Sequence, residues 1–234
     1  MTESKGAISR YQLDLFSKCR RCFWLLKRHG VKLPDSYPLA LNSAMDNLLK
    51  QEFDEYRAKD QLHPILTEYG ISARLFQDLP KLRDWRNNFK GLRWTDQLTG
   101  YTLFGAIDDL LEFPDGRLSV VDYKSSGAAQ INVYPSYQLQ LDVYTYLLER
   151  MGYPTVGKGY LAFFMAVKDD GFRGRLPFKG TLVEVPCDAD RVGGIFRDAV
   201  ALVESDRMPD AGEECDLCRW FDEADTVLGE RCAP

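Results

Sequence analysis

Helical and strand-like hydrophobic patterns alternate along the chain. Apolar residues spaced three or four apart predict helices at 9–30, 41–59, 82–89, 135–150 and 188–205. Short apolar or alternating runs predict strands at 92–96, 101–113, 118–124, 157–167 and 178–185. A loop with Pro34 and Pro38 separates the first two helices. The order helix, three strands, helix, strand predicts an α/β fold of the α+β type, with a mixed sheet, an αβββαβ core and a helical elaboration.

A turn within this pattern brings two aspartates together. The turn signal Phe113-Pro-Asp-Gly116 joins two predicted strands, so the resulting hairpin would put Asp108 and Asp122 on neighbouring strands. Because side chains alternate along a strand, Lys124 would point the same way as Asp122, and Tyr123 would point away. Alone, an aspartate and a lysine two residues apart are commonly a solvated strand face. Two acids and a lysine in this hairpin favour instead a site that holds Mg²⁺ or Mn²⁺ beside a phosphate and activates a water.

Three motifs follow one another at this point. They are Gly105-Ala-Ile-Asp108, Asp122-Tyr-Lys124 and Gln140-Leu-Asp-Val-Tyr144. In order and spacing they resemble the PD-(D/E)XK nucleases of the RecB type. The resemblance implies a metal-dependent hydrolase that cleaves DNA phosphodiester bonds, and more specifically an exonuclease. It assigns metal binding to Asp108, Asp122 and the main-chain carbonyl of Tyr123, catalysis to Lys124, and completion of the site to Gln140 and Tyr144.

One position departs from the pattern of these relatives. Many of them carry a histidine in the helix predicted here at 41–59, and the aligned residue in this chain is Asp46. An aspartate could bind the metal in place of the histidine, or the site has lost its third protein ligand. Glu52 is the other candidate acid, although acids on such a helix usually face solvent. The departure keeps open an alternative, a DNA-binding subunit of a larger complex with a degraded nuclease site.

The cysteines form a second candidate site. Two Cys-x-x-Cys pairs, Cys19 with Cys22 and Cys215 with Cys218, could present four thiolates to one metal, while Cys187 lies outside the pairs. The sixth cysteine, Cys232, also lies outside them. No signal sequence precedes the first residues, so a reducing cytoplasm is expected and a disulfide framework is disfavoured.

The resemblance sharpens this expectation. Some RecB-type nucleases, including the CRISPR-adaptation exonucleases, close the domain with a 4Fe-4S cluster, and Cys19-Arg-Arg-Cys22-Phe-Trp24 is similar to their entrance motif. Their arrangement is one cysteine before the nuclease motifs and three after, whereas this chain has two pairs. A zinc ion and a 4Fe-4S cluster both remain open. In either case the metal would clamp the segments 9–30 and 210–232 together, around a core at about 41–186 of one domain spanning 1–234.

Charge and composition narrow the remaining classes. The net charge of -5 argues against a generic nucleic-acid binder. However, the acid-free cluster with Arg20, Arg21, Lys27 and Arg28 could follow a DNA backbone while an interleaved aromatic stacks on a base. The alternative is a solvated helix face whose aromatics, Phe23 and Trp24, belong to the core.

Other chemistries lack their motifs. The chain's 2 histidines have no zinc-hydrolase spacing, and no phosphate-binding loop or Gly-x-Ser-x-Gly elbow occurs. No apolar run is long enough to cross a membrane. The expected partner is DNA, and a helicase or another repair or CRISPR-adaptation protein would have to supply any ATP-driven activity.

Overall fold

The computed structural model describes residues 4–34, 40–169 and 171–232, with side chains described as far as Gly229. Its helices are α1 (Arg10–Lys18), α2 (Arg20–His29), α3 (Ala40–Ala58), α4 (Pro64–Glu68), α5 (Leu79–Arg86), α6 (Pro135–Arg150), α7 (Ala189–Glu204) and α8 (Asp216–Cys232). Its strands are β1 (Gly6–Ser9), β2 (Arg74–Leu75), β3 (Leu92–Thr95), β4 (Tyr101–Gly105), β5 (Asp109–Glu112), β6 (Leu118–Ser126), β7 (Lys158–Ala166) and β8 (Phe178–Pro186).

The larger of two mixed sheets has the strand order β2-β5-β6-β7-β8. Its neighbours are antiparallel except β6 and β7, which run parallel. Parallel neighbours need a crossover connection, and α6 lies in the segment that links these two strands. The smaller sheet has the order β1-β4-β3, with β1 parallel to β4. The predicted mixed α/β fold is confirmed.

The core lies on both faces of the larger sheet. Helix α6 is buried throughout Leu139–Leu148 because it contacts β6 and β7 as well as α7 and β3. On strand β6, Val120 belongs to the apolar cluster on the α6 side. Val121 and Tyr123 belong to the cluster that contains Phe53 of α3. The period of two along β6 therefore directs Asp122 and Lys124 toward α6, as the sequence predicted.

Two predicted elements are interrupted. The helix predicted at 9–30 is two helices, because Cys19 is extended (φ -154, ψ 107) and its thiol accepts a hydrogen bond from the Cys22 N–H. The strand predicted at 101–113 is also two strands, which belong to different sheets. Between them Ile107 donates its N–H to the Trp85 carbonyl at 3.1 Å, so this segment leaves the smaller sheet to enter the larger one.

Other boundaries differ by smaller amounts. The helix predicted at 82–89 is α5, which begins earlier because Asp78 accepts a hydrogen bond from the Lys81 N–H and caps its first turn. The short elements β1, β2 and α4, and the carboxy-terminal helix α8, were not predicted. Pro38 of the predicted loop lies outside the described residues. Among the helices of the described ranges, none combines the length and apolar character needed to span a membrane.

Candidate active site and candidate metal centre

The two aspartates of the predicted hairpin lie side by side. Asp108 directly precedes β5, and the antiparallel register pairs Asp109 with Val121 of β6, so Asp108 reaches the level of Asp122. The Asp108 carboxylate accepts a hydrogen bond from the Tyr123 N–H at 3.0 Å. The hairpin therefore brings both acids together although the strand breaks just before Asp108.

Helix α6 supplies the polar side chains that hold Asp122 and Lys124. The Gln140 amide donates to Asp122 Oδ1 at 2.7 Å and to the Tyr144 hydroxyl at 3.3 Å. Its oxygen accepts from Lys124 Nζ at 3.0 Å. The ring of Tyr144 can pack against the backbone of Gly105 because this residue has no side chain. A Cβ there would lie only 2.8 Å from Tyr144 Cε1. The structure thus brings together the three motifs that the sequence singled out.

Asp122 is almost completely buried, at 1% exposure. Burial and the charge of Asp108 together raise the pKa of its carboxyl to about 6, although Lys124 and Arg10 oppose the shift. The Lys124 ammonium contacts Oδ2, yet this oxygen has no partner with hydrogen-bond geometry among the described residues. A buried carboxylate oxygen left in this way beside a second carboxylate fits a hard divalent cation.

Helix α3 brings a further acid to the same place. Asp46 and Asp108 both pair with Lys50, whose Nζ lies 2.7 Å from Asp46 Oδ2 and 3.0 Å from Asp108 Oδ1. Lys50 was missed in the sequence, where its spacing of four from Asp46 on one helix was the available signal. Glu52 instead contacts His63 Nε2 at 3.0 Å. Of the two candidate acids on α3, Asp46 is therefore the one at the site.

A buried ion network lies behind Asp108. Asp109, which is 0% exposed, accepts hydrogen bonds from Arg57 at 2.6 Å, from Arg86 at 3.0 Å and from the Tyr123 hydroxyl at 2.7 Å. Arg86 also donates to the Asp108 carbonyl at 2.6 Å. The network therefore fixes the backbone on which Asp108 is carried.

An open cavity of about 520 Å³ borders Asp46 and Asp108. Its lining includes Arg10, Lys50 and Arg86 as well as Asp46 and Asp108. Carboxylates bind a cation, and guanidinium and ammonium groups bind phosphate oxygens. The cavity is chemically suited to a metal and a phosphate held together.

The four paired cysteines form one cluster in which all ligand atoms lie within 4.8 Å of one another. Sγ of Cys22 is 3.6 Å from that of Cys215 and 3.5 Å from that of Cys218, and Cys19 Sγ is 3.6 Å from Cys218 Sγ. The predicted two-plus-two site is confirmed as a cluster that joins α2 to α8. Cys187 is not part of it.

Backbone donors stabilise a thiolate at Cys19. Burial opposes ionisation, but N–H groups of Cys22 and Gly212 lower the pKa of the Cys19 thiol to about 7. Gly212, which the sequence did not reveal, donates to Cys19 Sγ at 3.3 Å. A Cβ at this position would lie 2.3 Å from the Lys18 carbonyl oxygen, so only glycine fits here.

The basic cluster predicted to bind DNA makes contacts within the protein. Lys27 donates to the Ala7 carbonyl at 2.6 Å, and Arg28 donates to the Val203 carbonyl at 2.9 Å. Arg21 pairs with Asp222 at 3.2 Å, and the Arg20 guanidinium lies over the ring of Phe16. DNA binding by these four residues stays a prediction.

The two aromatics in this cluster have a definite place. Phe23 and Trp24 are 0% and 7% exposed. Because their faces are covered, they belong to the core, which is the alternative that the sequence left open.

The fold and the site define an α/β protein with Asp122 and Lys124 on one strand of a mixed sheet and Asp108 directly before the neighbouring strand. A family model for the PD-(D/E)XK nuclease superfamily matches residues 7–222, and the chain belongs to this superfamily. Similar solved structures include "Crystal structure of SSO0001", at 13% identity over 86% of this chain and 79% of that chain, with a TM-score of 0.43. Another is "Crystal Structure of LHK-Exo in complex with dAMP", at 8% identity over 96% and 94%, with a TM-score of 0.43. A search of curated proteins gives no match.

Proposed function

We propose that the protein is a RecB-like, Mg²⁺- or Mn²⁺-dependent deoxyribonuclease that removes nucleotides from DNA in repair, recombination or CRISPR-type processing. The observation that carries the proposal is the convergence of Asp108, Asp122, Lys124 and Gln140 in one hydrogen-bonded cluster around strand β6, in a member of a nuclease superfamily. A solvated strand face would not bury Asp122 or bond its carboxylate to a helix.

Asp108, Asp122 and the Tyr123 carbonyl would hold the divalent cation, with Asp46 as an additional ligand from α3. When bound, the cation supplies charge stabilisation at the phosphoryl oxygens and lowers the pKa of a water. Gln140 holds the ammonium group of Lys124 at 3.0 Å. In this position Lys124 orients the attacking water or neutralises charge that develops on the phosphate.

A second candidate function, a DNA-binding subunit without activity, is favoured by Lys50. Its ammonium group pairs with both Asp46 and Asp108 and thereby offers these carboxylates a built-in cation. The intact set of Asp122, Lys124 and Gln140 counts against this candidate, because a binding module has no need of it.

The nuclease proposal is tested by measuring Mn²⁺ binding by calorimetry and DNA cleavage in the same samples. We expect Asp108→Ala and Asp122→Ala to lose both, and Lys124→Ala to keep Mn²⁺ binding while its cleavage slows by about 10²- to 10³-fold. Asp46→Ala should weaken Mn²⁺ binding if this acid is a ligand. Asp115→Ala, at an exposed ion pair in the hairpin turn, is the matched control and should change neither. Tight DNA binding by a wild type without turnover in any divalent metal would favour the second candidate.

At the cysteine cluster we propose a single zinc ion in preference to a 4Fe-4S cluster. A Zn–S bond of about 2.3 Å sets tetrahedral sulfurs about 3.8 Å apart. Three of the Sγ–Sγ distances, at 3.5 and 3.6 Å, are close to this spacing, and all four sulfurs lie within 4.8 Å of one another. In a 4Fe-4S cluster each thiolate binds its own iron, so the four sulfurs lie farther apart. Free thiolates also suit a reducing compartment such as the cytoplasm.

The metal identity is tested by elemental analysis of protein purified without oxygen. We expect about one zinc per chain, lost in Cys215→Ser and kept in Cys187→Ser. Stoichiometric iron and sulfide, with the visible absorption of an iron–sulfur cluster, would overturn the zinc proposal.

A further inference from the structure

A second cavity adjoins the candidate active site on the far side of Lys124. Its volume is about 260 Å³, and its lining includes Lys124, Ile131, Tyr134, Tyr137 and Phe163. Gln140 lines the first cavity and binds Lys124 Nζ, so a single hydrogen bond separates the two spaces. A ligand in the second cavity would therefore lie next to a ligand in the first cavity.

Aromatic rings form one wall of this second cavity. The Tyr134 and Tyr137 rings meet edge to face, with centroids 5.3 Å apart, and Lys124 Nζ lies 4.5 Å from the centre of the Tyr137 ring. The Tyr137 ring also contacts the Phe163 ring, with the two centroids 6.4 Å apart. Tyr134 remains 50% exposed, and its side chain does not cap α6, the helix that it precedes.

This arrangement differs from an ordinary exposed tyrosine. A single exposed aromatic on a surface needs no explanation. Here, however, the ring is held at the start of a buried helix and borders a cavity that opens beside Lys124. Flat aromatic faces of this kind are the surfaces on which unpaired nucleobases stack.

We propose that the second cavity binds the unpaired nucleobase next to the phosphate at the active site, with Tyr134 as its stacking surface. The inference rests on the proposed nuclease function and names its substrate class as single-stranded DNA or a separated strand end. A base within a duplex is covered by its neighbours on both faces and paired at its edge, so it could not stack on Tyr134 without leaving the helix.

The test measures equilibrium binding of a fluorescent single-stranded oligonucleotide in an Asp122→Asn background, in which the DNA stays uncut. We expect Tyr134→Ala to weaken binding about 5- to 140-fold, the range that loss of one stacked base produces. Tyr134→Phe keeps the ring and should bind like the parent. Tyr69→Ala is the matched control, because Tyr69 is 51% exposed and lies at the end of α4, away from the cavity.

An abasic oligonucleotide separates stacking from a general structural effect. When the oligonucleotide lacks the base that would occupy the cavity, Tyr134→Ala should not weaken binding any further. The missing base and the missing ring remove the same contact. An equal loss on intact and abasic DNA at every position, or no loss at all, would overturn the inference. So would equal Tyr134 dependence with a blunt duplex.

The outcome is distinguishable from failure of the nuclease proposal. If the wild type cleaves DNA and Tyr134→Ala binds as the parent does, the stacking inference fails and the nuclease stands. If Tyr134-dependent binding is found but the wild type never cleaves, the nuclease proposal fails and the stacking surface stands.

Discussion

Replacing Asp109 with alanine removes a fully buried carboxylate from the ion network behind the active site. Its oxygens accept hydrogen bonds from Arg57, Arg86 and the Tyr123 hydroxyl. The side chains of Arg57 and Arg86 are 3% and 9% exposed, so water cannot readily replace the lost carboxylate. The change therefore leaves two buried guanidinium groups with less compensating charge.

The expected loss of stability follows from this geometry. Removing one partner of a buried ion pair costs about 3–5 kcal/mol. Asp54 still pairs with both Arg57, at 3.2 Å, and Arg86, at 2.9 Å, and its side chain is 27% exposed. Because this carboxylate remains, we expect a loss near the lower end, about 3 kcal/mol. For a chain of this length that loss lowers the unfolding midpoint by roughly 6–12 °C.

The assay is thermal unfolding of zinc-loaded protein, followed by circular dichroism. Asp115→Ala is the control, because Asp115 pairs with Arg117 at the surface and its removal should leave the midpoint unchanged. A midpoint for Asp109→Ala within about 2 °C of the wild type would refute the reasoning. It would mean that the buried network does not hold the start of β5, which Asp108 directly precedes.

Three further predictions concern catalysis and the proposed zinc site. Lys124→Ala should lower kcat by about 10²- to 10³-fold, whereas Lys59→Ala, at an exposed lysine just beyond the end of α3, should leave kcat unchanged in the same cleavage assay. Gly212→Ala should weaken zinc binding by about 10- to 100-fold, as measured by chelator competition. The reason is that its Cβ would lie 2.3 Å from the Lys18 carbonyl oxygen. The control is Gly229→Ala, which should have no effect because a Cβ there meets open space. Removing the zinc from the wild type should lower its unfolding midpoint, because the link between α2 and α8 is lost. An unchanged midpoint would contradict the proposal that the metal stabilises the fold by joining these two helices.

Local periodicity was sufficient to predict the central part of the site. Side chains alternate along β6, so Asp122 and Lys124 were expected on one face, and Gln140 and Tyr144 were expected one turn apart on α6. The structure has these residues in contact. The family match confirms the PD-(D/E)XK nuclease superfamily, whereas the RecB type and the roles of the individual residues stay predictions.

The interruptions could not be predicted because contacts distant in sequence cause them. Cys19 breaks the first helix where its thiol joins a cluster with Cys218, which lies 199 residues away. The long predicted strand breaks where Ile107 bonds to Trp85. From the sequence, Lys50 is expected to be a solvent-facing helix residue, because only the fold brings Asp108 into contact with it. Periodicity predicts which face of a helix or strand is apolar. It does not predict which polar residues of other elements will contact that helix or strand.

The most direct test of the account is cleavage of end-labelled single- and double-stranded DNA by zinc-loaded protein with Mn²⁺, run beside Asp122→Ala. We expect the wild type to shorten the DNA, with the product ladder giving the polarity, and the folded variant to leave it intact. Full activity in Asp122→Ala, or no cleavage by a well-folded wild type in either Mg²⁺ or Mn²⁺, would contradict the account.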